Sequence, residues 1–478
     1  MTTSMSDRTF SDRSNGPVDL AVVGGGLAGL VAATTAARQG RRVVLLDARA
    51  VGGRARSTDR RGFRFNQGAH ALYDTGAARP ILTELGVQLR GRSPKVRQGG
   101  LWYRGGIHLL PDGPAALMRT TALSARSKLV AAKLLARVQS FDAPAQRRLS
   151  FGEWLDQRRL PADVVDVVLA ITRVATYAHS PADLSADAAI SQLQGALVGV
   201  TYLDGGWQGL VDQLATIATD AGVDIREHAS VTHLGRSGSG ANGTWTITTG
   251  DGELAATNVL LAGLGPVEAA RLLGSTPDEL GWGSLGPDQR ASCLDLGVSR
   301  PATRGVLFGV DEPLYLSTHT PPADLVTPEI ATAGGGVVQL LRYLATDETP
   351  DPDATRAELD QHAQRVGLDP TGPADHLGSA GTPGRRSSSR SASPSAGPSS
   401  GSGVVEQRYL HVMTVAHGMP IAANGGLAGR PRVTVADRPG LFVAGDWVGG
   451  VGMLADAAVA SGHEAARQAV RRSVAVAP

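Results

Sequence analysis

Gly24, Gly26 and Gly29, with Leu27 and Ala28 between the last two, are followed 18 residues later by Asp47. Residues of these types at this spacing can bind a dinucleotide. Gly24 permits a tight turn out of a strand, Gly26 lets the backbone approach a pyrophosphate, and Gly29 lets a helix pack close to the sheet. The helix N-terminus then offers unpaired N–H groups and the positive end of its dipole to the phosphates. Asp47 stands near the position from which a carboxylate takes ribose hydroxyls. The elements that must hold these residues are a strand over Val18–Val23, a helix over about Leu30–Gln39 and a second strand over Arg42–Leu46. A membrane span is the rival reading, because Val18–Ala37 holds one charge, Asp19. Three consecutive glycines and an arginine-bounded strand directly after them argue against it.

Asp47 runs on through Ala48, Arg49, Ala50, Val51, Gly52 and Gly53 to Arg54. Here the chain resembles the flavoprotein superfamily of amine oxidases, carotenoid (phytoene) desaturases and protoporphyrinogen oxidases. That family more often has Glu at the acid and often a spacer one residue longer. The resemblance implies FAD as cofactor, with Arg49 and Arg54 on its phosphates, a role suited to guanidinium groups. It also implies Ala48 and Gly53 among the cofactor-binding residues; a solvated basic turn is the plain alternative. In 62–73, Phe63 and Phe65 alternate as in a short strand and Gly68 allows close backbone approach. The resemblance places this segment beside the flavin ring, with Gly68 and Ala69 on the cofactor and His70 as the catalytic candidate. The alternative for His70 is a structural histidine.

A second block lies at 439–470. A strand over Leu441–Ala444 leads to Gly445 and Asp446, then to Gly449, Gly450, Val451 and Gly452 before an alanine-rich helix. This resembles the C-terminal FAD segment of the same family. Asp446, after Gly445, would accept hydrogen bonds from ribityl or ribose hydroxyls, and the helix N-terminus near Met453 would face the flavin N1/C2=O edge. Between the blocks, Gly205, Gly206 and Trp207 precede a helix over Gly209–Asp220, then strands over Asp224–Glu227 and Val231–Leu234. Val231 would meet the adenine through its backbone. Thr244–Thr248 alternates like an exposed strand and Asn258–Ala262 is a buried one.

The fold class implied is α/β: a Rossmann-like FAD-binding domain with an inserted α+β substrate-binding lobe. Its expected division is a disordered tail over 1–17, the FAD-binding domain over 18–75, 205–270 and 419–478, and the lobe over 76–204 and 271–418. In the lobe, short strands and turns are expected over Leu82–Arg104 and Ile107–Leu110, and helices over Pro114–Ser140 and over Phe151–Gly195, with Pro161 at a helix start. Strands follow near Ala291–Val298 and Gly336–Ala345. Leu117, Leu123, Leu129, Leu134 and Leu135 alternate with Arg119, Arg126, Lys128, Lys133 and Arg137, as in a basic amphipathic helix that either lies on a membrane or is an ordinary solvated one. The Ser/Gly/Pro/Ala/Arg stretch over 382–403 reads as a disordered insert or a shifted local reading frame.

The remaining composition mostly excludes. A net charge of +2 gives no footprint for nucleic acid, and the sole cysteine, Cys293, excludes a disulfide framework and a cysteine metal cluster. Cys293 is expected to be an inert core thiol, and no metal ligand set stands out. Met1–Pro17 lacks an apolar signal region, so the expected location is cytoplasmic, with peripheral membrane contact as an option.

Two departures narrow the chemistry that the resemblance implies. Flavin amine oxidases usually place a lysine near N5, and no lysine follows Lys133 here. They also carry an aromatic at the start of the C-terminal helix, where Met453 stands. The Gly450–Met453 pattern looks closer to desaturases and protoporphyrinogen oxidases. The expectation is therefore an FAD-dependent enzyme that dehydrogenates a small lipophilic substrate, plausibly a polyene, by hydride transfer to flavin N5, with oxygen or a quinone as electron acceptor. The alternatives are a protoporphyrinogen-oxidase-like or amine oxidase activity, a non-catalytic lipid or prenyl binder, and an NAD(P)-dependent dehydrogenase.

Overall fold

The computed structural model describes residues 16–94, 99–238, 243–372 and 403–476. The expected tail over residues 1–15 and the insert over 382–402 lie outside them.

Alternation of Val, Leu and Ala between glycine turns builds a sheet whose centre is parallel. The strands Asp224–Arg226, Val43–Leu46, Val18–Val23, Gly252–Ala262 and Leu441–Ala444 lie side by side in that order and in one direction. The long strand Gly252–Ala262 has Val18–Val23 on one side and two neighbours sharing the other. Its first half pairs antiparallel with Thr244–Thr249, which in turn pairs with Val231–Ser237, and its second half pairs with Leu441–Ala444. The C-terminal ends of the parallel strands therefore share one edge, which carries Gly24, Asp47, Gly263 and Gly445. In open parallel sheets that edge is where ligands bind.

Helix Leu27–Ala37 is buried along its whole length. It can be, because its residues are apolar or small on every side, and Thr34 and Thr35 return their hydroxyls to the Leu30 and Val31 carbonyls at 2.7 Å. The C-terminal helix Leu454–Val476 crosses it closely. A Cβ on Gly462 would stand 2.3 Å from the Ala28 carbonyl oxygen, so only glycine lets the two helices meet.

The second sheet has seven strands in the order Val404–Ala416, Gln289–Val298, Gly336–Leu344, Leu314–Thr318, Val306–Gly309, Gly100–Tyr103 and Gly106–Leu109. It is antiparallel except where Val306–Gly309 runs with Gly100–Tyr103. Helices Ala125–Arg137, Ala162–Thr176 and Ala186–Val198 complete this half.

Several expected elements change. The run over Pro114–Ser140 is two helices, Pro114–Arg119 and Ala125–Arg137, and Ser124 caps the second by accepting the Ser127 N–H at 3.2 Å. Phe151–Gly195 is three, broken at Pro161 and at Tyr177, whose φ of 60° stops the helix ending at Thr176. Part of the region expected as strands and turns is the helix Ala78–Glu84. Thr244–Thr249 alternates as expected, with Trp245, Ile247 and Thr249 buried and the residues between them half-buried. The first helix begins at Leu27, three residues before the expected start, because Gly26 serves as its N-cap.

Candidate functional site

The glycine turn has two kinds of glycine. A Cβ on Gly24 would lie 2.0 Å from the Ala262 carbonyl oxygen, and one on Gly29 would lie 1.8 Å from the Gly24 oxygen, so both are required for packing. Around Gly26 nothing stands within 4 Å of that position. The space is open, and the uncapped N-terminus of Leu27–Ala37, with Leu27 and Ala28 in its first turn, faces it with no acidic residue there. Gly53 closes the other side, its own Cβ position 3.5 Å from the Gly26 Cα. Helix dipole, free amides and a glycine-walled gap are what a pyrophosphate requires. The residues present fit an FAD.

Asp47 is held rigidly. Its Oδ2 accepts the Gly25 N–H at 2.7 Å and its Oδ1 accepts the Arg49 N–H at 2.8 Å. Its carbonyl takes the Ala229 N–H, which brings the loop before Val231 beside it. Ala48 and the Arg49 side chain are exposed at this corner.

Arg54 and Asp446, 392 residues apart, meet directly. Arg54 Nη1 donates to Asp446 Oδ2 at 2.6 Å, Nη2 donates to Oδ1 at 3.0 Å, and Nη1 also reaches the Val415 carbonyl at 2.8 Å. The Asp446 carboxylate is buried and Arg54 is about one-third exposed (34% for the side chain), so the pair points from the interior toward the gap. Burial alone would raise the Asp446 pKa, but the Arg54 charge and hydrogen bonds outweigh it and hold the carboxyl below its usual range. The His417 N–H adds a third donor at 3.0 Å. Gly445 is tied to the C-terminal helix through Ser461, whose Oγ accepts its N–H at 3.0 Å.

His70 sits where the two halves meet. Its Nδ1 is 2.9 Å from the Gly68 carbonyl and its ring lies 5.0 Å from that of Trp207. Burial, with smaller contributions from the charges of Arg54 and Arg408, lowers its pKa, so the imidazole is neutral near pH 7 and available as a proton acceptor. Ala69 belongs to an apolar cluster with Cys293, Tyr315, Leu341 and Tyr343, and its carbonyl accepts the Tyr177 hydroxyl at 2.5 Å. Cys293 is fully buried against Met413, and burial pushes its thiol well above the ordinary range, as an inert core thiol requires. The charges here cancel: Arg408 pairs with Asp295 at 2.5 Å, both buried.

The Met453 side chain is buried in a cluster with Ile190, Leu193, Met419 and Leu427. The helix after it starts at Leu454, which has a φ of 54°. Its first turn holds an acid not singled out in the sequence. Asp456 accepts the Ala78 N–H at 2.8 Å, so one carboxylate serves the N-termini of two helices. Arg430 is a second residue the sequence did not point to. It is buried, donates to the Asp446 carbonyl at 2.8 Å and to the Gly452 carbonyl at 2.7 Å, and thereby sets the loop between them. No local pattern marks either residue, because their partners arrive from distant segments. Among the described residues no cluster of side chains could hold a metal ion.

Residues 27–273, just over half of the chain, match the model of the flavin-containing amine oxidoreductase family. The chain belongs to this family. Membership carries an enzyme class and a cofactor with it: an oxidoreductase that works with FAD. A phytoene dehydrogenase of Streptomyces griseus is 30% identical over 297 residues, covering 55% of this chain and 57% of that protein, so the match spans little more than half of the relative's length. Two solved structures share the mixed α/β fold over nearly the whole chain. An oxidoreductase from Methanosarcina mazei has a TM-score of 0.67 at 16% identity, covering 94% of this chain and 99% of that one. Cyclohexylamine oxidase from Brevibacterium oxydans has a TM-score of 0.65 at 15% identity, covering 96% and 100%. At these identities they speak for the fold alone. No helix among the described residues is long and apolar enough to cross a membrane.

Proposed function

We propose that the chain dehydrogenates a lipophilic substrate in the manner of a phytoene desaturase. In this reading the parallel sheet and its helices form a Rossmann-like FAD-binding domain, and the second sheet and its helices form the substrate lobe. Bound FAD supplies a two-electron acceptor, taking a hydride at N5 from a substrate carbon.

The chain's own residues do the rest. The amides after Gly26 and the wall at Gly53 hold the pyrophosphate. Asp47 takes ribose hydroxyls through the lone pairs its two backbone donors leave free. Arg54, anchored by Asp446, presents its remaining N–H groups to the cofactor, and Gly68, Ala69 and His70 border the ring. His70, neutral and buried, is placed to receive the proton that leaves the neighbouring carbon.

The observation that carries the lipophilic substrate is the lining beyond His70. It is a buried cluster of Ala69, Tyr177, Cys293, Tyr315, Tyr343 and Met413; Asp295 and Arg408 beside it neutralise each other, and Arg173, near Tyr343, is held by the His179 and Gly309 carbonyls. A desolvated surface of this kind suits a hydrocarbon and excludes water from the reacting centre. The kinship with a phytoene dehydrogenase and the absence of any lysine after Lys133 point the same way. Amine oxidation is the second reading. It is favoured by the edge-to-face pair Tyr177 and Tyr343, with centroids 6.2 Å apart, since aromatic faces also accept cations.

The test begins with the absorption spectrum of the purified protein and of the cofactor released by heat. Gly26→Val and Asp47→Ala are expected to lose FAD, and His70→Ala to keep it. Anaerobic bleaching of the flavin by a polyene and not by primary amines supports desaturation. The reverse selectivity overturns it in favour of amine oxidation.

A further inference from the structure

Helix Ala125–Arg137 packs inward through Ser127, Ala131 and Leu134, and Ala131 joins the cluster that contains Ala69 and Cys293. Its outward face is unlike an ordinary solvated one. Leu129 is 66% exposed and Leu135 39%, and Met118, on the preceding short helix, is 67% exposed. Lys128 Nζ donates to the Met118 carbonyl at 2.8 Å and ties the two helices together. At the other end, Gln139 Nε2 donates to the Gln194 carbonyl at 2.9 Å, which brings the exposed Leu197 and Val198 alongside. Of the eight exposed large hydrophobics among the described residues, five lie in this one part of the surface, so it is a patch and not scatter.

The two helices themselves carry charge of a single sign, while the nearest acid, Asp163 of the neighbouring helix, is engaged by Ser124 and Ser127. From 113 to 141 the chain has Arg119, Arg126, Lys128, Lys133 and Arg137 and no Asp or Glu, although its net charge over all 478 residues is only +2. Arg126 and Lys133 stand three residues before and four after Leu129, and therefore flank it on the exposed face. A solvated helix would mix both signs there and leave no leucine in the middle. Apolar side chains set among cations match one environment well. The leucines reach the acyl boundary of a bilayer while the basic groups meet anionic headgroups.

We propose that this face docks on an anionic lipid bilayer. The proposal rests on the surface alone and holds whichever substrate the site takes. Bound this way, the helix stands between the bilayer and the apolar cluster that ends at Ala69.

Co-sedimentation of the flavin-loaded protein with vesicles tests it, using phosphatidylcholine alone or phosphatidylcholine with phosphatidylglycerol in equal parts. Binding is expected to the second and not the first, and is expected to be released by salt. Arg126→Gln with Lys133→Gln should lower partitioning about fivefold per charge removed. Leu129→Gln should lower it as well. All three side chains are exposed, so flavin content and melting temperature should not change. Failure to sediment with anionic vesicles, or full binding by these variants, overturns the proposal. So does a dimer that Leu129→Gln converts to monomer without any vesicle binding, since that assigns the face to a second copy of the chain.

Discussion

The two halves of this molecule handle charge in opposite ways. Around the glycine turn, charged groups are kept and aimed. Asp47 is clamped by the Gly25 and Arg49 amides, and Arg54 is anchored on a buried Asp446 while about one-third of its side chain stays accessible. Beyond His70, charge is paired off or tied to backbone carbonyls, as Arg173 is on those of His179 and Gly309. Asp295 and Arg408 are buried on each other, and the cluster around Ala69 and Cys293 is aromatic, aliphatic or sulfur. A polar, invariant ligand rewards preorganised dipoles, whereas an apolar one needs only a dry surface of suitable shape. Recognition in the first half is therefore carried by a few residues at fixed spacing, and in the second by many residues with no fixed spacing.

The contrast predicts how substitutions should fail. The largest effect belongs to Gly29→Ala. With Gly24 oxygen 1.8 Å from the new Cβ, the turn cannot close, and both folding and flavin binding should be lost, read as insoluble or colourless protein. Gly26→Val should be milder and give a folded but colourless protein, because its Cβ enters open space. If both variants fail alike in thermal melts, the distinction between packing and cofactor glycines is wrong.

Next comes Asp446→Asn. It leaves a partly solvated Arg54 without its counter-charge and should cost about 1–3 kcal/mol by chemical denaturation, together with weaker flavin retention. In the other half, Arg408→Met should destabilise by a similar mechanism but leave flavin bound. Adding Asp295→Leu should recover part of the loss, because the pair's other partners are only the Asn66 carbonyl and the Gln339 amide, which the double variant leaves without its acceptor. A double variant no more stable than the single one would show that the second half needs that charge.

The smallest effect is one of pH. His319 is buried, stacked on Tyr202 at 4.0 Å, and its pKa is lowered to about 3 by burial and, secondarily, by His70. The unfolded chain binds this proton near pH 6.5 and the folded one does not. Stability from the neutral ring is therefore complete above about pH 6.5 and falls as the pH drops toward 3. His319→Gln should flatten that acid limb in urea titrations followed at successive pH values. An unchanged limb would place the acid sensitivity elsewhere.

Much of the first half was legible because its signals are local. The strand Leu441–Ala444 falls where its pattern puts it, and Val18–Val23 likewise. Asp446 stands out through its place after a buried strand and before a glycine turn. The pairing of Arg54 with Asp446 was not legible, since nothing near either residue names a partner 392 positions away. Arg430 and Asp456 were missed for the same reason. The break at Thr120–Ser124 escaped notice because leucine periodicity continues across it, and the cap that restarts the helix is a single serine.

The amino-acid sequence by itself determined the dinucleotide turn, the parallel strands that carry it and, through resemblance, the flavin family. These are short-range facts: apolar runs of strand length, glycines where a side chain would collide, and an acid one strand later. Only the tertiary structure decided which charges anchor which, that His70 lies against Trp207 at the junction of the halves, and that Tyr177 meets Tyr343 and Tyr202 meets His319. Those contacts come from sheet order and helix packing, and burial then sets the protonation of the groups they enclose, which no spacing in the chain can state.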